Sequence, residues 1–423
     1  MVSEAVCDTS GDSGIAQFDI VIVGAGMAGS ALACALTQTA SPTASLRIAL
    51  VEAQPLRDGW PPLESGIDGF DLRVSAMTKA SQDFLDSIDV WPAIAGQRVS
   101  RFEKMQVWDA EGTGAISFDA ADVRAPALGH IVENRVTVAA LLNTLRDRQA
   151  LRMFDGVAVE SLTLPQRDGD HALIQLADGS ALESTLVVAA DGAQSRLRNL
   201  TEMPMREWDY AHDAIVCTAQ TELPHQETAW QRFTPYGPLA FLPLASADEQ
   251  HFCSVVWSQR RDRASELLSL QDVHFCAQLE RALEGRLGSV RRVSTRTSFP
   301  LRQRHAVDYV RPGFALVADA AHTVHPLAGQ GINLGFGDVQ VLAETLQMAV
   351  QRKQNVGDLA VLKKFQRQRK GDNLAMMAAI EGFKRLFEQA PLPLRWLRNA
   401  GMSRLDKHAR LKNMIVKRAM GIG

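Results

Sequence analysis

The stretch from Phe18 to Glu52, FDIVIVGAGMAGSALACALTQTASPTASLRIALVE, restricts the fold of this chain more than any other. It opens with an apolar run, Ile20 to Val23, of the length and character of a strand buried on both faces. Gly24-Ala25-Gly26-Met27-Ala28-Gly29 follows, a G-x-G-x-x-G, and then a small-residue helical pattern from Ser30 to Leu36. A second apolar run, Ile48 to Val51, closes on the acid Glu52. A strand, a tight turn and a helix start present free backbone N–H groups and a helix dipole to a pyrophosphate. Gly24 permits the turn, Gly26 lets backbone approach phosphate, and Gly29 lets helix and strand pack closely. Glu52 stands where a carboxylate accepts hydrogen bonds from a ribose. The spacing to that acid is longer than usual, and Thr39 to Ser45 reads as the inserted loop. A merely glycine-rich turn would not need the flanking strand, the helix and the closing acid. The motif alone does not choose between FAD and NAD.

A chain of 423 residues allows two or three domains. Its 46% hydrophobic and 22% charged content is that of a soluble globular protein, and a net charge of −3 gives no global attraction to nucleic acid. The cysteines, Cys7, Cys34, Cys217, Cys253 and Cys276, are scattered without a C-x-x-C pair. That argues against a metal site and for a reducing, cytoplasmic compartment. No apolar run is long enough to span a bilayer. Residues 1–17 are acidic and rich in small residues, lack a secretion signal, and are expected to be a disordered extension.

Beyond Glu52 the strand and helix signals alternate, then change character. Met105 to Phe118 predicts a hairpin about Glu-Gly-Thr-Gly, and Ala172 to Leu182 another about Asp178-Gly179. Ile215 to Trp257 is strand-rich and predicts an antiparallel sheet. The pattern is α/β: a Rossmann-like nucleotide domain over 18–90, 128–200 and 301–345, interrupted by a β-rich substrate domain over 91–127 and 201–300. A helical region covers 346–423.

Two further stretches carry chemistry. Leu186 to Ala190 is a short apolar strand ending in Asp191-Gly192, with Arg198 a few residues on. Asp191 is placed to order a loop, and Arg198 to meet phosphate. Asp319 closes the run Phe314 to Ala318, and the loop after it turns at Pro326. Gly329, Gly331 and Gly335 then bracket a helix start. The N–H groups from Gln330 to Asn333 suit developing negative charge, and Asp319 suits a ribityl hydroxyl. Interior helix glycines cost roughly 0.5–1 kcal/mol each, so this run calls for a reason.

With these three stretches in this order, the chain resembles the aromatic-hydroxylase type of FAD monooxygenases. It departs at Ala318, where that family has glycine; a negative φ there would accommodate the methyl. Within the family it is most similar to the ubiquinone-biosynthesis hydroxylases, above all the one acting at ring carbon 5 of a polyprenylphenol. The resemblance is carried by Leu72 to Ala76, Val107 to Asp109, Ile116 to Asp119, Leu128 to Asn134, Trp208 to Tyr210, Leu239 to Leu244 and Ala320 to Thr323.

The resemblance implies bound FAD, O2 as co-substrate, and NAD(P)H or another reductant docking transiently. It implies a flavin C4a-hydroperoxide whose distal oxygen is attacked by the phenol ring. Arg73 is then expected by the flavin edge and Asp319 at the ribityl chain, with Gly331, Ile332 and Asn333 facing the isoalloxazine. His322, His325 and Tyr236 are candidates for handling a proton or orienting the phenol, each against a structural reading. Phe241 and Trp257 suit a ring pocket or a core equally, no residue identifies itself as the base, and no metal site is expected. Hydroxylation at C6 or C1, a reductase or epoxidase acting on a lipid, and a non-catalytic flavin scaffold are the alternatives. Partners in view are a ubiquinone-biosynthesis complex, a second copy of the chain and a membrane surface. The last is suggested by the basic tail from Pro391, behind Met376, Met377, Ile380, Phe383, Leu386 and Phe387 at helical spacing.

A Gly26→Val variant should purify without flavin, because a branched side chain fills the approach of the pyrophosphate; flavin absorbance at parental stoichiometry would refute that placement.

Overall fold

The computed structural model describes residues 15–167, 169–246, 251–324, 330–387, 399, 401–402, 404–406 and 408–421. The first apolar run becomes the strand Ala16–Val23 at the heart of an eight-stranded sheet. It pairs in parallel with Ile48–Glu52 on one side and Ala181–Ala189 on the other. Leu151–Asp155 extends the parallel set at one end and Phe314–Leu316 at the other. Ile20, Ile22, Ile48, Leu186 and Val187 are fully buried, which is why these strands read as unbroken apolar runs. Helix Met27–Leu36 is buried along nearly its whole length. Its alanines, glycine and serine let it pack against helices Asn134–Arg146 and Gln330–Gln351 as well as the sheet.

The topology places the three sequence motifs together. Ala16–Val23, Ala181–Ala189 and Phe314–Leu316 are consecutive, parallel strands, so their carboxyl ends share one edge. Each ends in one of the motifs: Gly24 to Gly29, Ala190 to Arg198, and Ala318 to Asp319. Ligands of open α/β sheets bind at such an edge.

A nine-stranded sheet forms the second layer. The expected hairpins are present, Lys104–Asp109 with Ala115–Asp119 and Ala172–Leu176 with Ala181–Ala189. The strands from Ile215 to Trp257 pair antiparallel with one another as expected, and the sheet adds one parallel pair, Thr228–Thr234 with Lys104–Asp109. A small sheet of Val74–Met77, Gly129–Glu133 and Val99–Phe102 stands apart from both. Period-two alternation divides the large sheet. Leu239, Phe241, Val255 and Trp257 point to a core with Phe275 and Leu279 of helix Asp272–Ala282. Pro238, Ala240, Leu242, Ser254, Val256 and Ser258 point the other way, into a cavity. Phe241 and Trp257 therefore belong to the core.

Helix Leu359–Phe387 closes the cavity from the far side. Met377, Ile380 and Phe387 pack with Val107, Ile116 and Phe233, and the rings of Phe233 and Phe387 stack at 4.2 Å. Helix Ala409–Ala419 rests Val416, with Met420 just beyond it, on Ala120 and Leu128. The expected disordered extension over 1–17 is too long: Ala16 and Gln17 already belong to the first strand, paired with Leu182 and Glu183, while residues 1–14 lie outside the described residues. Part of the tail after Pro391 and the side chain of Phe383 lie outside them as well.

At Ala318 the condition for an unstrained methyl, a negative φ, is not met. Its φ is +52°, in the left-handed region, where a Cβ costs about 1–2 kcal/mol. Its methyl faces Gly335 one helix turn into Gln330–Gln351, and a Cβ on Gly335 would stand 2.9 Å from it. A Cβ on Gly337 would meet the Arg369 guanidinium at the same distance. Two of the helix glycines are thus packing requirements. Gly335→Ala should cost about 1–3 kcal/mol, and adding Ala318→Gly should restore most of it by removing methyl and strain together. Urea denaturation of the two single variants and the double variant tests this; losses that simply add would separate the two positions.

Candidate functional site

Gly24 takes φ +103°, and a Cβ there would lie 2.5 Å from the carbonyl oxygen of Ala190. A Cβ on Gly29 would lie 1.9 Å from the carbonyl oxygen of Gly24, so this glycine clears the turn itself. Gly26 differs, since nothing stands within 4 Å of where its Cβ would be, and it borders the cavity. The open cradle is at Gly26. Glu52 accepts from the N–H of Ala25 at 2.7 Å and of Gln54 at 3.1 Å. The acid that closes the second strand therefore fixes the glycine turn while keeping lone pairs on both oxygens.

On the neighbouring strand, Asp191 accepts from the N–H of Leu197 at 3.1 Å. Its second oxygen is buried with no partner among the described residues. Arg198, expected to meet phosphate, is engaged by main-chain carbonyls. Its guanidinium is buried and donates to the carbonyls of Ala320 at 2.9 Å and Ala193 at 3.0 Å, strapping the second motif to the third. Burial lowers its pKa, and the charge of Arg304 lowers it further.

Asp319 faces the cavity. Burial raises its carboxyl pKa, opposed by the charges of His322 and Arg73. Arg73 lines the same cavity from the other side of the cleft. Its backbone is held by a buried anchor that the sequence did not disclose. Glu133 accepts from the N–H of Asp71 at 2.7 Å and pairs with Arg98 at 2.7 Å and Arg135 at 2.8 Å. Asp71 in turn accepts from the N–H of Arg73 at 3.0 Å.

At the helix start, Gly331 and Ile332 line the cavity. The Asn333 side chain donates to the carbonyl of Ala76 at 2.8 Å and accepts from Ser81 Oγ at 2.7 Å and the N–H of Thr78 at 3.0 Å. It docks the helix on the Val74–Met77 strand. Gln330 opens the helix, but its side chain is outside the described residues, as is His325.

The cavity measures about 1660 Å³ and runs from Gly26 past Arg73, Asp319 and Gly331 across the sheet face to Met402 and Met420. Ligand pockets commonly span about 300–1,000 Å³, so this one has room for more than one group. Beyond the strand-edge motifs its walls are mainly apolar, among them Phe102, Met105, Val107, Ile116 and Phe118. Tyr236 lies outside the lining, in an exposed hairpin turn with 56% of its surface accessible. His322 is buried behind the cavity wall.

The residues present fit a flavin dinucleotide: an open glycine cradle at Gly26, a carboxylate at Asp319, and an open helix start at Gly331. The FAD binding domain model matches residues 121–371. The 3-demethoxyubiquinol 3-hydroxylase of Escherichia coli is 35% identical over 96% of this chain and 98% of its own length. The human mitochondrial ubiquinone biosynthesis monooxygenase COQ6 is 33% identical over 96% of this chain and 93% of its own. This chain belongs to the ubiquinone-biosynthesis FAD hydroxylases. Its cofactor is FAD, and it is an aromatic monooxygenase. The fold is shared more widely. The p-nitrophenol 4-monooxygenase PnpA of Pseudomonas putida superposes with a TM-score of 0.74 at 16% identity, covering 96% of the hydroxylase and 99% of PnpA.

A polar network behind the site of the hydroxylase went unread in the sequence. Asp338, fully buried, accepts from His322 Nε2 at 2.5 Å, Arg369 Nε at 2.9 Å, Asn373 Nδ2 at 3.0 Å and the N–H of Ala318 at 3.1 Å. Burial pushes its carboxyl up, but His322 and Arg369 prevail and hold it below the usual range. Asn373 also reaches Tyr309, whose hydroxyl lies 3.1 Å from His305 Nε2. The ring of His322 is thus engaged by Asp338, the acid that directly follows Gly337.

Burial, with the charge of His322, lowers His305 to about 4. Above an unfolded pKa of about 6.5 the ring is neutral in both states, and its contribution to stability is complete. As pH falls toward 4 the unfolded chain takes up a proton that the folded chain refuses, costing up to about 1.4 kcal/mol per pH unit. Between pH 7 and pH 5, His305→Gln should lose roughly 1–2 kcal/mol less stability than the parent in denaturant titrations. Parallel pH profiles would refute this.

Proposed function

We propose that the hydroxylase adds one oxygen atom from O2 to the aromatic ring of a polyprenylphenol, at ring carbon 5. The observation that carries the lipid-phenol reading is the cavity, whose one end is the flavin-type strand edge and whose other end is a long apolar chamber; carbon 5 rests on the sequence resemblance alone. Glu52 and the turn at Gly26 would hold the adenosine half of FAD. Arg73, Asp319, Gly331 and Ile332 would flank its reactive half. FAD supplies the activation of O2 once a reductant, NAD(P)H on the family pattern, has reduced it.

The chain's own residues do the rest. Ala240, Ser254, Val256 and Ser258 are small, so the sheet face leaves space for a ring beside the helix start at Gly331. Phe102, Met105, Val107, Ile116 and Phe118 offer an apolar wall to a prenyl chain and keep water from the ring. Among the described residues the lining holds no histidine or tyrosine, so orientation and water exclusion carry more of the work than proton transfer by a side chain. The hydroxylase would act in the cytoplasm at the inner face of its membrane, where a polyprenylphenol resides.

A second reading of ring position rests on the Escherichia coli relative, whose name places its reaction on 3-demethoxyubiquinol. Expression in mutants each lacking one ring hydroxylase, with quinone intermediates identified by mass, tests both. Rescue of the C5 mutant with a product heavier by one oxygen supports carbon 5. Rescue of a C6 or C1 mutant alone would overturn that position. Phenol-stimulated NAD(P)H oxidation with O2 uptake excludes a scaffold, and a reduced or epoxidised prenyl chain would replace ring hydroxylation altogether.

A further inference from the structure

We infer that helix Ala409–Ala419 is the docking surface of the hydroxylase for an anionic lipid bilayer, and that it seats the mouth of the cavity against that bilayer. The inference rests on the polyprenyl reading of the substrate. Val416 holds the helix to the body of the protein, with Met420 just after it. Leu411, Met414 and Ile415, three and four residues apart, form a stripe on the face turned away from that contact. They are 46%, 59% and 39% exposed, unusual for large apolar side chains standing together.

Arg410, Lys417 and Arg418 border the stripe, are exposed, and make no ion pair among the described residues. Lys412 differs, lying inward at 3.1 Å from Asp122. An apolar stripe edged by unpaired cations is the surface of a helix lying in a bilayer interface. Charge also argues against a second copy as the occupant. A two-fold contact sets a patch against itself, which here would oppose cation to cation. No described helix is long and apolar enough to cross a membrane, so the contact is peripheral.

Position ties this surface to the substrate. Ile415 is partly exposed and also lines the cavity, together with Val416 and Met420. One helix is therefore both cavity wall and outer apolar face. A prenyl chain entering past Ile415 would leave the acyl region of the bilayer and meet protein without crossing water.

Flotation of the full-length, FAD-loaded protein with phosphatidylcholine vesicles, with and without phosphatidylglycerol, tests the proposal. The parent should float with anionic vesicles, and less so in high salt. Arg410→Gln/Lys417→Gln/Arg418→Gln should weaken that binding about a hundredfold, at roughly fivefold per cation. Leu411→Ser/Met414→Ser should weaken it as well. Both variants should keep flavin and turn over a water-soluble short-chain phenol at the parental rate, while losing turnover of a long-chain phenol presented in vesicles. Unchanged flotation of the variants would overturn the proposal. So would a change of oligomeric mass in Leu411→Ser/Met414→Ser with flotation intact, which would make the stripe a subunit interface. Loss of flotation in a protein that hydroxylates no phenol would support the docking surface and refute the substrate reading alone.

Discussion

The structure depends on how closely three strand ends are brought together. Gly24 lies so near the carbonyl of Ala190 that a side chain at this position is sterically forbidden. That approach follows from the parallel pairing of Ala16–Val23 with Ala181–Ala189, and Phe314–Leu316 joins on the far side. Residues some three hundred positions apart become one edge. Arg198 then locks that edge, donating from the second strand end to Ala320 at the third. A cofactor anchored at the first strand can thus be held at its reactive half by the third.

What was legible in the sequence was whatever has a local period or a local backbone demand. The buried parallel strands showed as apolar runs, the hairpins as Glu-Gly-Thr-Gly and Asp-Gly, and the glycine turn as a motif between strand and helix. What stayed hidden was the choice of long-range partner. Arg198 beside a nucleotide edge invites an ionic role, yet its hydrogen bonds go to carbonyls more than a hundred residues away or just upstream. Asn333 sits in the right motif but faces Ala76 and Ser81, which no spacing rule connects to it. Asp338 carries no local signal, and only its burial against His322, Arg369 and Asn373 makes it a hub. The backbone sign at Ala318 was hidden for the same reason: its φ is positive where the strand end packs on the next helix.

The large sheet shows how alternation divides labour. The same strands put Phe241 and Trp257 into a packed core and Ala240, Ser254 and Val256 toward the cavity. A core packed at crystal-like density on one side supports a void on the other. The cost is borne by helix Leu359–Phe387, whose Ile380 and Phe387 must supply the roof that the sheet face lacks. The same helix donates from Arg369 and Asn373 to Asp338, so roof and cofactor edge share one rigid body.

The contact between Ala318 and Gly335 bears on the routes by which such a sequence can drift. With the methyl of Ala318 in place, any side chain at Gly335 is blocked, whereas glycine at 318 would free the helix position. Substitutions at these two sites are therefore ordered: one path is open and the reverse is closed. Chains that differ at residue 318 inherit different sets of tolerated neighbours, and a helix glycine conserved in one lineage can be dispensable in another for reasons that lie wholly outside catalysis.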